Sequence, residues 1–343
     1  MIDCGSMCLN CDYPIHFDTY QGCSHACKYC FVKFNRDISK IKPIDTTESL
    51  RNFIEGKRTL RVNWCDWDIP LHWGGSSDPF QECELIHHKS LDVLKIFNET
   101  QYPFIVSTKN PMMLLEEPYY SLMQSCNCVL QVSMACSKYD KLETGCPTFE
   151  QRLQAVSKLS KVLKRVTIRM RPYFIDCHKQ IIEAIPKIAE AGAYSITVAT
   201  YVSKKKIRGM TKYGKCYMFD NDTLFPKYSE IKEVCHKHGL KFFCSEEGLE
   251  WLGDDLNCCG CGDLEGFRGN TYNASHIAHD EEPPQPTDAM LQTDTWYPFK
   301  CMKQSSAWAK HCRDRSFKDL IDENTENMIY FMQQQKEYFE SEG

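Results

Sequence analysis

The chain has 343 residues, of which 42% are hydrophobic and 25% charged, with a net charge of −5. That length fits one large α/β domain with an appendage, or two domains, and the apolar content is enough for a core. No uninterrupted apolar run reaches membrane length, and the mildly acidic balance gives no global attraction to nucleic acid. Such a partner would have to be held by a local patch.

Hydrophobic periodicity predicts alternating strands and helices from about residue 15 to residue 244. A strand over 15–20 ends at Gly22, which turns the chain directly into a cysteine-rich loop. A helix over 46–55 precedes a strand over 70–74. The next helix, over 84–97, carries Leu85, Leu91, Leu94 and Phe97 at helical spacing. Strands over 104–107 and 129–133 flank a short helix over 118–123. Helices over 149–163, 179–191 and 223–238 then alternate with strands over 166–170, 195–199 and 241–244. Gly192 and Gly239 stand just past helix ends, where glycine serves as a stop. Repeated βα units imply a parallel sheet, here curled into a partial barrel of the (β/α)6 type, an α/β TIM-barrel relative. The expected divisions are an N-terminal cysteine-containing extension over 1–14, the barrel over 15–245, and a C-terminal part over 246–343. That last part holds a Cys/Gly-rich segment, an acidic proline-rich linker over 279–286 and a terminal helix over 328–339.

The loop after the first strand reads Cys23-Ser-His-Ala-Cys27-Lys-Tyr-Cys30-Phe31. Even with 21 cysteines in the chain, chance gives well under one such triplet. Three thiolates on one short loop can hold three irons of a 4Fe–4S cube. The missing fourth ligand leaves one iron open to a small chelating molecule, as catalytic metals keep an open position. Reductive cleavage of S-adenosylmethionine (SAM) is the chemistry that uses such an open iron. A zinc knuckle is the alternative use of the same thiolates. No apolar signal segment opens the chain, so a reducing, cytoplasmic setting is expected, with thiols free to act as ligands rather than paired as a disulfide framework.

With these segments the chain resembles the radical SAM superfamily, and within it the spore photoproduct lyase-like (DNA repair photolyase-like) branch. The carrying residues are 22–31, Gly74-Gly-Ser-Ser-Asp-Pro-Phe80, Val106-Ser-Thr-Lys-Asn110, Gln131-Val-Ser-Met134 and Glu150-Gln-Arg-Leu153. The resemblance spans roughly residues 15–200. It implies an enzyme that reductively cleaves SAM at a 4Fe–4S cluster to generate a 5′-deoxyadenosyl radical, fed by a reducing partner such as flavodoxin or ferredoxin. By the same resemblance Cys23, Cys27 and Cys30 hold the cluster and Phe31 packs by the adenine. Ser77 and Asp78 lie near the SAM amino group, and Lys109 and Ser133 bind its carboxylate. One departure stands out. The lyases carry a hydrogen-donating cysteine just before the Ser-Asp pair, and here that place is Gly75, so the resemblance supports radical chemistry better than thymine-dimer repair. No catalytic residue beyond the cofactor ligands is assigned.

Cys4-Gly-Ser-Met-Cys8-Leu-Asn-Cys11 repeats the spacing before the barrel begins, and Cys258-Cys259-Gly-Cys261 lies past its end. Cys8 and Cys11 with Cys258 and Cys261 make two C-x2-C halves suited to an auxiliary site, a second iron–sulfur cluster or zinc. Cys4 or Cys259 could replace one member. Scattered buried cysteines acting as small hydrophobes are the alternative, which suits Cys126, Cys177 and Cys235 better than two tight clusters.

Lys204-Lys205-Lys206-Ile-Arg208, with Lys212 and Lys215, follows the sixth strand and is interleaved with Tyr201, Tyr213 and Tyr217. Cations on phosphates plus aromatic rings on bases form a nucleic-acid recipe; a solvated loop is the alternative. Arg169 and Arg171 are expected at the same mouth, with Arg171, Lys204, Lys205 and Lys206 as substrate-binding candidates. A nucleic acid or nucleotide is the favoured substrate, a peptide side chain the alternative, and a non-catalytic metal-binding nucleic-acid module a third reading. His276, His279 and His311, and the tail aromatics Trp296, Tyr297 and Trp308, are read as surface or packing residues.

Overall fold

The structure is a computed structural model that describes residues 2–4, 11–34, 36–57, 69–269 and 317–341. Its first strands are β1 (Asp3–Cys4), β2 (Ile15–Phe17), β3 (Tyr20–Gln21) and β4 (Lys42–Pro43), followed by helix α1 (Thr47–Ile54). Then come β5 (Leu71–Trp73), α2 (Glu84–His87), α3 (Lys89–Thr100), β6 (Phe104–Thr108), α4 (Tyr119–Ser125), β7 (Cys128–Ser133) and α5 (Phe149–Leu159). The remainder is β8 (Arg165–Tyr173), α6 (His178–Glu190), β9 (Ser195–Thr200), β10 (Thr211–Tyr213), β11 (Cys216–Met218), α7 (Asn221–Lys237), β12 (Lys241–Cys244) and α8 (Phe317–Ser341).

Eight of these strands form one sheet in the order β1-β2-β5-β6-β7-β8-β9-β12. All seven from β2 onward pair in parallel, as helical crossovers between successive strands require. Both faces of the central strands are buried, which fits their Val/Ile-rich sequences. Among the described residues the edges β1 and β12 do not pair with each other, so the barrel is open rather than closed. This is the expected α/β partial-barrel architecture. β1 extends the sheet antiparallel to β2, Cys4 opposite Ile15.

Aromatic packing anchors the first strands. Phe17 stacks on Trp73 at 5.6 Å between centroids and Phe97 on Phe104 at 4.0 Å; burying each ring is worth about 2–3 kcal/mol. The expected single helix over 84–97 is broken at His88, whose φ is +53°. The reason is Glu84. Its buried carboxylate accepts from the backbone N–H groups of Ser90 and Leu91, so the side chain of one short helix caps the start of the next. Tyr20 and Tyr119 donate to the same carboxylate.

The basic stretch after β9, read from sequence as a loop, contains the antiparallel hairpin β10–β11 with Lys212 opposite Tyr217. The terminal helix is longer than its periodicity suggested, 25 residues from Phe317 to Ser341. The linker over 279–286, together with His276, His279, Trp296, Tyr297, Trp308 and His311, lies outside the described residues, as does Cys8.

Candidate active site

Parallel strands align their C-terminal ends on one side of the sheet, and the residues that follow them converge on a common mouth. The cysteine loop follows β2 there. Gly22 takes φ +81°, and a Cβ on it would stand 2.6 Å from the Lys40 carbonyl oxygen, so the turn into the loop needs glycine. Gln81 then props the loop: its amide donates to the Gly22 carbonyl, and its oxygen accepts from the Ser24 N–H at 2.8 Å. Cys27 is buried, while Cys23 and Cys30 are half-buried.

Asp78, past the end of β5, ties this loop to the strand ends. One carboxylate oxygen accepts from the Phe80 N–H and the Thr108 hydroxyl. The other accepts from the Lys109 N–H at 2.6 Å and lies 3.1 Å from His25 Nε2 in the cysteine loop. Burial pushes the Asp78 carboxyl up, but His25 and the donors around it outweigh burial and hold it below its ordinary range. Ser77 is turned inward, its hydroxyl donating to the Tyr20 carbonyl at 2.7 Å. Both residues of the Ser-Asp pair therefore spend their side-chain hydrogen bonds on the loop architecture.

Lys109, half-buried at the end of β6, lies beside Cys27, with Nζ 3.9 Å from the Glu143 carboxylate and 5.8 Å from the Tyr29 ring centre. Glu143 is buried, accepts from the Tyr29 hydroxyl and pairs with the buried Arg152. Arg152 also donates to the carbonyls of Ser133 and Pro147. Neither Glu143 nor Arg152 was assigned a role from sequence; Arg152 lies within the 150–153 segment that carried the resemblance, which was its only signal. Ser133, at the end of β7, is half-buried opposite Arg169. Phe31 stands 62% exposed beside the loop, its ring open to a partner.

The barrel interior is polar. His16 and His72 meet edge to face at 4.8 Å. His72 Nε2 contacts the Ser107 hydroxyl, which donates to Gln131, and Gln131 also accepts from Arg169. Burial, with Arg169 nearby, pushes His16 down to about 4, and burial together with His16 and Arg169 pushes His72 well below the ordinary imidazole range. A Cβ at Gly75 would stand 2.9 Å from His16 Nδ1; the imidazole fills the space a larger residue there would need. Arg171 is exposed at the mouth, with the buried Glu246 carboxylate and Arg169 within electrostatic reach.

The C-terminal cysteine segment enters this interior from the N-terminal ends of the strands. The Thr197 hydroxyl donates to the Cys258 carbonyl, Gln131 to the Cys259 carbonyl and Arg165 to the Gly260 carbonyl. Cys11 and Cys258 lie within electrostatic reach of each other and of Arg169, while Cys261 donates to the Tyr13 hydroxyl at 3.3 Å. Of the expected auxiliary set, three cysteines thus come to one region. Among the described residues no three His, Cys, Asp or Glu side chains already converge as a metal cage.

Of the basic candidates, Lys204 reaches back to the cysteine loop, donating to the Phe34 carbonyl at 2.7 Å with Nζ 4.9 Å from the Phe34 ring centre. Lys205 and Lys206 are exposed at the base of the hairpin. Tyr29, Tyr139, Phe174 and Tyr201 form a continuous aromatic ridge between the cysteine loop and this hairpin, with successive contacts of 6.4, 5.1 and 4.7 Å.

The thiol set fits an iron–sulfur group in its donor chemistry: three soft ligands on one short loop, with a lysine and a buried histidine beside them. Burial, with Asp78 nearby, pushes the Cys23 thiol up to about 12, so loading a metal there must release a proton.

No family model matches the chain. Uncharacterized proteins of Mycobacterium tuberculosis and Mycobacterium bovis are each 22% identical over 205 residues, covering 57% of this chain and 56% of theirs. The chain thus spans about half the length of the curated relatives it matches. Spore photoproduct lyase complexed with dinucleoside spore photoproduct superposes with a TM-score of 0.52 at 15% identity, over 68% of this chain and 76% of that one. Streptococcus suis SuiB bound to S-adenosylmethionine gives 0.48 at 15% identity, over 76% of this chain and 57% of that one. The chain has the fold of the spore photoproduct lyase type. Among the described residues, no helix is long and apolar enough to cross a membrane.

Proposed function

We propose that this chain is a radical SAM enzyme acting on a nucleic acid or nucleotide. The observation that carries the reading is the Cys23/Cys27/Cys30 loop standing past the first parallel strand, at the mouth where Asp78, Lys109 and Ser133 end the next three. When bound, a 4Fe–4S cluster on these thiolates supplies the electron that cleaves SAM to a 5′-deoxyadenosyl radical. The chain's own residues do the holding. Asp78, through His25, and Gln81 fix the loop against the strand ends. Glu143 holds Lys109 and Tyr29 beside Cys27, where the lysine's positive charge suits the carboxylate of SAM. Phe31 offers an exposed face for the adenine, and Ser77 sets the turn that carries Asp78.

The substrate assignment rests on the hairpin and its surroundings. Lys205, Lys206, Arg208, Lys212 and Lys215 are exposed, and Lys204 ties their hairpin to the cysteine loop. The aromatic ridge leads from them to the loop, an arrangement suited to phosphates outside and a base at the mouth. Arg171 would take an anionic group entering the barrel. Oligonucleotide binding measured against salt tests this. The wild type should weaken steeply as salt rises, and changing Lys204, Lys205 and Lys206 together to Ala should flatten the slope by about 2–3. Equal binding by both proteins would remove the nucleic-acid assignment. A peptide substrate is the second reading, favoured by the gathering of Cys11, Cys258 and Cys261, which suits an auxiliary cluster or zinc site. A reducing partner such as flavodoxin or ferredoxin completes the proposal.

A further inference from the structure

One further thiol stands against the cysteine loop: Cys146, from the segment after β7. Its Sγ lies 3.9 Å from Cys27 Sγ, across 119 residues of chain. Backbone contacts on both sides hold the two segments together. The Lys28 N–H donates to the Leu142 carbonyl at 2.8 Å, and the Gly145 N–H to the His25 carbonyl at 3.2 Å. His25 Nδ1 in turn lies 2.9 Å from the Gly145 carbonyl oxygen. The approach is so close that a Cβ on Gly145 would stand 2.5 Å from the Ser24 carbonyl oxygen. Cys146 is half-buried and Cys27 buried, so the pair is open to a small reagent from the Cys146 side.

We propose that Cys27 and Cys146 form a disulfide in the cluster-free protein when a low-molecular-weight disulfide such as glutathione disulfide is present, and that this bond blocks cluster loading. The sulfurs must close from 3.9 Å to about 2.05 Å, a movement of side chains while the backbone contacts stay in place. The thiolate of one of the two cysteines attacks a glutathione sulfur, forming a mixed disulfide and releasing one glutathione thiolate. The thiolate of the other then attacks the protein sulfur of that mixed disulfide and releases the second. Two protein thiols lose two protons and two electrons, and one glutathione disulfide becomes two glutathiones. The product lacks one of the three thiolates of the loop, and a bound cluster would in turn keep Cys27 out of the exchange. The blocking step rests on the reading of Cys27 as an iron ligand; the disulfide itself does not.

The test uses full-length, cluster-free protein kept without oxygen, treated with glutathione disulfide, alkylated, digested and mapped by mass spectrometry. Part of each sample is then given iron and sulfide. The expected result is a Cys27–Cys146 cross-link as the main product, with iron uptake lost until a thiol reductant is added. Cys146→Ser should take up iron after the same treatment without reductant. Glutathione adducts with no Cys27–Cys146 cross-link would overturn the proposal and leave the radical SAM reading untouched. A cross-link that forms while iron uptake stays normal would overturn the blocking role and count against Cys27 as a ligand.

Discussion

Asp78 shows how much of this site depends on one carboxylate. It accepts from two backbone N–H groups and a hydroxyl and faces His25, so it joins the end of β5, the end of β6 and the cysteine loop. Asp78→Asn keeps the size and removes the charge, leaving the buried His25 without its ionic partner. The expected cost is about 3 kcal/mol, read by denaturant unfolding; an unchanged midpoint would show that the pair does not brace the loop. Glu250, after β12, gives a pH signature far from the cysteines. Burial pushes its carboxyl from 4.5 up to about 7. A raised carboxyl favours the folded state at low pH, and that advantage is lost as pH rises from 4.5 through about 7. Glu250→Gln should therefore melt higher than the wild type above pH 7 and match it near pH 4.5, a difference that thermal melts across that range would reveal. Gly75 makes a contrasting point, since only the structure shows His16 filling the space beside it.

At the scale of elements, the segment between β7 and α5 acts as a brace for the cysteine loop. The capping box of Thr148 and Gln151 starts α5, and this places Arg152 under Glu143, which holds Tyr29 and Lys109. Arg152→Met should cost about 3 kcal/mol, because it removes the close counterion of the buried Glu143 and leaves only Lys109 at 3.9 Å. Changing Glu143 to Gln in the Met variant should recover part of that loss, and unfolding of the two variants checks both statements. Strands and helices were largely legible in the sequence because their periodicity is strong; β12 matches the expected 241–244 span. What escaped it depended on contacts distant in the chain. The break at His88 follows from Glu84 reaching forward to Ser90 and Leu91, and hydrophobic spacing alone reads straight through it. The hairpin β10–β11 escaped because its strands are only three residues each, too short to show a period.

For the whole molecule, the parallel order of seven strands carries residues separated by more than a hundred positions to one mouth. The cysteine triplet and the Ser-Asp and Lys positions were visible as motifs, but their partners were not. Glu143 and Arg152 resemble any surface pair until the fold buries them, and Cys146 becomes notable only when it lies beside Cys27. The second cysteine set was legible as spacing, and the fold adds that Cys258 enters the barrel near Cys11 and Arg169. A partial barrel with cysteines at its mouth and a basic hairpin beside them accounts for these features together. The most direct measurement is 5′-deoxyadenosine production from SAM by protein reconstituted with iron and sulfide without oxygen and then reduced, alongside the variant with Cys23, Cys27 and Cys30 all changed to Ala. Product from the wild type and none from the variant is the predicted result; no product from the wild type, with zinc tightly bound and little iron retained, would contradict it.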